Sequence, residues 1–144
     1  MKKAALWIVG ILIVIQLIPV QRTNPPVTAD IEAPEAVKAI LKTSCYDCHS
    51  HESTWPWYSK VAPVSWLVVH DVNEGREELN FSTWGELPVD KQHKALEESI
   101  EEIEEGEMPM PVYLLTHKDA TVTDAQLATL KAWVLEVSQV TPEE

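Results

Sequence analysis

The opening of the chain carries almost no polar side chain. After Lys2 and Lys3 it is apolar over positions 4–20, broken only by Gln16 and ended by Pro19. A run of this length stands at the short end of what crosses a bilayer, where roughly 17 to 25 apolar residues are needed. A cleavable export signal has small residues in an A-x-A-like pattern after its apolar run. Here the sequence reads Gln16-Leu17-Ile18-Pro19-Val20-Gln21-Arg22 instead. Residues 1–22 therefore read as an uncleaved N-terminal transmembrane helix, a single-pass anchor in the inner membrane. Lys2 and Lys3 would hold its start in the cytoplasm, leaving everything after Arg22 in the periplasm. A cleaved signal would export the rest of the chain equally.

Positions 23–33 have no period, and Pro25-Pro26 excludes a regular helix, so this stretch is expected to be a linker. From residue 34 the pattern turns helical. Pro34 suits a first turn, and Val37, Ile40 and Leu41 recur at helical spacing. Cys45 lies four residues beyond Leu41, on the same face. Positions 64–70 read as a short buried helix, with Asn73-Glu74-Gly75 and Asn80-Phe81-Ser82 as loop punctuation. A long acidic helix is expected after Pro88, capped by Asp90, striped by His93, Leu96, Ile100 and Ile103, and stopped by Gly106. Its glutamates at 97, 98, 101, 102, 104 and 105 form a solvated face. Thr123-Asp124-Ala125-Gln126 is a capping-box pattern leading into a last helix with Leu127, Leu130, Trp133, Val134 and Val137. No alternating strand pattern and no internal repeat occur, so the fold is expected to be all-α.

The only two cysteines stand in Cys45-Tyr46-Asp47-Cys48-His49, the C-x-x-C-H pattern of covalent haem c attachment. Two thiols at this spacing reach the two vinyl groups of one porphyrin, and the adjacent His49 becomes an axial ligand of its iron. A structural disulfide would close too small a loop to contribute much. A thioredoxin-like pair would need an alternating strand and helix pattern that is missing. A zinc site using Cys45, Cys48 and His49 or His51 lacks the usual second pair of close ligands. Six tryptophans beside one phenylalanine add large flat side chains suited to a porphyrin wall. Trp55, Trp57, Trp66 and Trp133 are the candidates for such a wall or for ordinary core.

A second axial ligand has several candidates: Met108, Met110, His70, His51 and His117. Met108 leads, because it follows a helix stop on a loop stiffened by Pro109 and Pro111. Met110 is next, and His70 follows because it ends an apolar run. His51 is expected to face solvent or touch a propionate, and His93 and His117 to be incidental surface groups.

Charge narrows the partners. With 11 basic and 23 acidic side chains the formal charge is -12, which repels nucleic-acid phosphates and anionic lipids. The same field would attract a basic redox protein, more weakly as salt rises.

The chain resembles the bacterial haem-binding domain family, small exported proteins related in design to c-type cytochromes. The resemblance rests on Cys45-Tyr46-Asp47-Cys48-His49-Ser50, on Trp55-Pro56-Trp57-Tyr58 with Ser65-Trp66, and on His70-Asp71-Val72-Asn73-Glu74-Gly75-Arg76. It continues through Asn80-Phe81-Ser82-Thr83-Trp84, Gly106-Glu107-Met108-Pro109, Tyr113, His117 and Trp133. It implies a cytochrome c-like helical domain, here residues 34–144, with one haem c on Cys45 and Cys48. It also implies iron ligation by His49 and Met108, and loading by the cytochrome c maturation machinery. One-electron transfer is the expected function, and a carrier fits better than an enzyme because no catalytic acid or base surrounds an open site. A haem-based redox or gas sensor is the main alternative, and a small peroxidase with His70 as distal base the weaker one.

Overall fold

The computed structural model describes residues 1–139 and is helical throughout, with no strand among those residues. In chain order the α-helices are α1 (Lys2–Ile15), α2 (Glu35–Ser44), α3 (Tyr46–His49), α4 (Val64–Glu78), α5 (Val89–Glu105), α6 (Pro111–Leu114) and α7 (Asp124–Gln139). Short 3-10 turns occupy Trp57–Lys60, Phe81–Glu86 and Lys118–Ala120. The last five residues of the expected 34–144 domain lie outside the described residues.

The core forms where the apolar stripes of α2, α5 and α7 meet. Val37, Ile40 and Leu41 from α2, Leu96 from α5, and Leu130, Trp133 and Val134 from α7 are all buried. Tyr46 and Phe81 extend this core as a stacked pair, with ring centroids 5.3 Å apart. The i, i+3, i+4 spacing read from the sequence accounts for each stripe. At the start of α7 the capping box forms as the pattern requires. The Thr123 backbone N–H donates to Gln126 Oε1 at 2.8 Å, and the Gln126 N–H donates to Thr123 Oγ1 at 3.3 Å. Thr123→Ala is expected to lower the stability of the domain by about 1 kcal/mol, read as a shift in denaturant midpoint at unchanged slope.

Three expectations are corrected. No described helix is long and apolar enough to cross a membrane. The expected span over 1–22 stops as a helix at Ile15, 14 residues from its start, which at 1.5 Å per residue is about 21 Å against a hydrocarbon core of about 30 Å. Gln16 marks the end. Its amide donates to Leu12 O and to Ala62 O, so the side chain turns back toward protein, and Pro19 blocks any resumption.

The second correction concerns α4, which runs through Asn73-Glu74-Gly75 to Glu78. Gly75 answers a packing need described below, and no turn forms there. The third is the cap of α5, where Pro88 precedes the first turn and Asp90 lies inside it. Gly106 ends α5 as expected, with φ of 79° in the left-handed region that glycine adopts without steric cost.

Positions 23–33 carry no helix or strand and lie along the helical body. The backbone N–H groups of Thr28 and Ala29 donate to Ser82 O, and that of Ile31 donates to Phe81 O. Ile31 is buried in the core. Arg76 ties the same stretch down by donating to Thr23 O and Asn24 Oδ1, and to Ser50 O and Ser53 Oγ on the other side.

Candidate functional site

The C-x-x-C-H segment begins at the core because α2 delivers it there. Leu41 and Ser44 are buried, and the Cys45 N–H donates to Leu41 O at 2.9 Å, closing the last turn of α2. The chain then turns directly into α3, where the His49 N–H donates to Cys45 O at 2.9 Å. One helical turn thus brings Cys45, Cys48 and His49 to one side of the chain. Both thiols are free. Burial pushes them up, Cys45 to about 12 with the neighbouring Cys48 adding to it, and Cys48 to about 11 with Asp47 adding to it. Thiols raised in this way are poor nucleophiles at neutral pH, which disfavours a reactive redox pair.

His49 has its orientation fixed from outside. Its Nδ1 lies 2.8 Å from Gly75 O and 3.1 Å from Leu79 O. Two carbonyl oxygens can only accept, so Nδ1 carries the hydrogen and the Nε2 lone pair is left free. Burial holds the ring below the ordinary histidine range, opposed by these same two bonds. This is the arrangement of a ligating imidazole, whose second nitrogen is usually held by a carbonyl or carboxylate.

Gly75 makes that arrangement possible. A Cβ built at this position would meet Cys48 O at 3.1 Å and Cys48 Cβ at 3.3 Å, so any larger residue would press α4 away from α3 at the motif. Gly75→Ala would gain up to about 1 kcal/mol in helix propensity and lose about 1–3 kcal/mol to overpacking. The expected outcome is a net loss of stability in denaturant melts, together with an altered environment at His49.

Two adjoining cavities, of about 330 Å³ and 570 Å³, open on the motif. Ser44, Cys45, His49, Glu78, Met108 and Pro109 border both. The larger is walled by core residues including Leu96, Phe81 and Trp133, and the smaller by Cys48, Met110 and Tyr113. Ser44 Oγ is buried beside this space without a hydrogen-bond partner. The charged residues along both cavities are all acidic, and no lysine or arginine borders either. Free thiols, an imidazole with a free Nε2, a thioether and apolar walls form a donor set that suits haem.

Met108 reaches this space because the end of α5 is folded back. The N–H groups of Glu107 and Met108 both donate to Glu102 O, at 3.0 and 3.1 Å, and Gly106 supplies the left-handed turn. Met110 borders only the smaller cavity and a separate groove.

The histidine alternatives fall elsewhere. His70 is on the surface of α4, 62 % exposed and paired with Glu74, and borders neither cavity. His51 is half-buried and held by two hydrogen bonds. Its Nδ1 lies 2.8 Å from Pro26 O, and its Nε2 accepts from Asn80 Nδ2 at 2.8 Å. His117 is no incidental surface group, because it stacks on Tyr113 with centroids 4.1 Å apart. Among the described residues the one His/Cys/Asp/Glu group close enough to share a metal ion is His70, Asp71 and Glu74, which includes no residue of the C-x-x-C-H motif. Of the tryptophans, Trp133 alone borders the cavity at His49; Trp55 and Trp57 line the separate groove, and Trp66 borders none of these spaces.

Sequence reasoning missed Gly75 and Leu79 as the carbonyl partners of His49. The C-x-x-C-H spacing signals a ligand but says nothing of which distant backbone will orient it.

The haem-binding domain family matches residues 10–136 of this chain. The chain belongs to that family. As a haem-binding domain it binds haem, and the match includes α2, α3, α4 and the loop of Met108 together, along with most of α7. No curated protein and no solved structure matches the chain.

Proposed function

We propose that this haem-binding domain is a membrane-attached c-type haem protein of the periplasm that carries one electron at a time. In this reading one haem c is bonded through Cys45 and Cys48, with His49 and Met108 as axial ligands. The observation that carries it is the fixed imidazole: Nδ1 is occupied by Gly75 O and Leu79 O, which leaves Nε2 free, and the two thiols of the same helical turn are unpaired. Haem bound there supplies an iron that takes up and releases a single electron. Gly75 and Leu79 hold His49 in one tautomer, and the turn at Gly106 brings Met108 to the same space. A methionine ligand raises the potential of a haem iron.

The absence of any lysine or arginine around the cavities supports covalent attachment. A haem bears carboxylates, and an acidic rim gives them no cationic partner, so thioether bonds to Cys45 and Cys48 would be the holding force. Loading then falls to the cytochrome c maturation machinery. The same acidic rim favours a basic redox protein as partner. The surface position of His70 leaves a peroxidase without its distal base, which supports a carrier over a catalyst.

Membrane attachment is assigned to α1, in which no residue is buried and whose apolar side chains face outward all round. Lys2 and Lys3 precede it, and such a helix is covered by lipid more readily than by water.

The test is the optical spectrum of protein matured with the haem attachment machinery. Six-coordinate, low-spin iron in both oxidation states, with slow carbon monoxide binding, is expected. High-spin, five-coordinate reduced iron that binds carbon monoxide rapidly would overturn electron transfer in favour of a gas sensor.

A further inference from the structure

Outside positions 1–18, ten large apolar residues are exposed among the described residues, and their distribution is uneven. Six of them, Trp57, Val61, Val64, Leu67, Val112 and Leu115, come from two stretches, 57–67 and 112–115, with Trp57 at 76 % and Leu115 at 73 % exposure. All except Val61 line a single groove of about 350 Å³, whose only charged lining residues are Asp47 and Asp71. Singly exposed apolar residues are ordinary, but a contiguous patch marks a surface that something covers.

The end of α1 is fastened to this patch. Gln16 Nε2 donates to Ala62 O at 3.0 Å, and the Ala62 N–H donates to Gln16 Oε1 at 3.0 Å. Arg22 Nη1 donates to Ser59 O at 3.1 Å. Ser59 and Ala62 belong to the 57–64 stretch that also carries Trp57, Val61 and Val64. The sequence suggests a domain held off the membrane by a proline-containing linker. These three bonds, with the packing of 23–33 along the domain, leave little slack for that.

We propose that the patch of Trp57, Val61, Val64, Leu67, Val112 and Leu115 lies against the lipid surface beside α1. The haem domain would then rest on the bilayer in one orientation. The inference depends on α1 being inserted in lipid, as proposed above. Continuity with α1 favours lipid over a protein partner, because the patch begins where the apolar helix ends. Exposed apolar side chains next to a lipid-bound helix settle at the depth of the membrane interface. An exposed tryptophan is the side chain most suited to that depth. With a net charge of -12, the chain as a whole is repelled by anionic headgroups, so an apolar contact with zwitterionic lipid is the better fit.

The experiment uses the full haem-loaded chain in phosphatidylcholine vesicles containing a phosphatidylcholine with a photoactivatable acyl chain, and maps cross-linked residues by mass spectrometry. Cross-links are expected in α1, within 57–67 and within 112–115. Val89 and Leu135, exposed apolar residues outside the patch, are expected to stay unlinked. Leu67→Asp/Leu115→Asp is expected to lower cross-linking at the patch severalfold while leaving that of α1 unchanged. Cross-links in α1 alone, or equal cross-linking at Val89 and Leu135, would overturn the inference while leaving the anchor in place. A chain with no cross-link in α1 would remove the anchor itself and the inference with it.

Discussion

Replacing Cys45 and Cys48 together by alanine is expected to convert a haem that survives denaturation into one that acid-acetone strips completely. The effect should be close to all-or-none. With both thioethers gone, what would remain is coordination by His49 Nε2 and Met108 and contact with apolar walls such as Phe81 and Trp133. No lysine or arginine along either cavity could retain a haem carboxylate. In a pyridine haemochrome spectrum the wild type should show the c-type band, and the double variant a b-type band or no pigment. A single Cys48→Ala variant keeps one thioether and should retain haem with an intermediate band position. Pigment held equally well by the double variant through acid-acetone treatment would exclude these two sulfurs as the point of attachment.

Met108→Ala should produce the largest change in redox behaviour. Removing the thioether leaves the iron five-coordinate or water-ligated, so the reduced protein is expected to become high-spin and to bind carbon monoxide rapidly. The midpoint potential should fall by on the order of 0.1 V, since axial ligation sets haem potentials over a range of roughly 0.8 V. Met110→Ala provides the contrast. Met110 borders the smaller cavity beside Cys48 but not the larger one containing Trp133, so its removal should leave the low-spin spectrum intact. A low-spin Met108→Ala protein with unchanged potential, alongside a high-spin Met110→Ala protein, would transfer the ligand role to Met110.

Local patterns in the sequence proved informative wherever one short stretch contains the whole physical cause. The capping box at Thr123, the stop at Gly106 and the buried stripes of α2, α5 and α7 each depend on residues a few positions apart. C-x-x-C-H belongs to the same class, because one helical turn brings its members together. What could not be read depends on contacts between distant segments. Asn73-Glu74-Gly75 looks like a turn, yet Gly75 sits inside α4, where Cys48, 27 positions earlier, packs tightly against its Cα. His51 and His117 looked incidental because partners such as Pro26 and Asn80 for one and Tyr58 for the other are remote in sequence.

Hydropathy alone likewise overstated the N-terminal helix. Positions 4–20 are apolar enough to suggest a full span, but Gln16 turns its amide to Ala62 and the helix ends there. The aromatic count was similarly ambiguous. Tryptophans suit a porphyrin wall and an interfacial surface equally well, and only the fold separates Trp133 at the cavity from Trp57 on the exposed patch.

The central claim is that Cys45 and Cys48 carry haem covalently, and the intact mass of the denatured wild-type chain, after co-expression with the maturation machinery, tests it most directly. A single species heavier than the polypeptide by one haem, with the added mass located on the peptide containing Cys45 and Cys48, is the predicted result. A denatured chain at its bare polypeptide mass, with haem recovered free in solution, would contradict it.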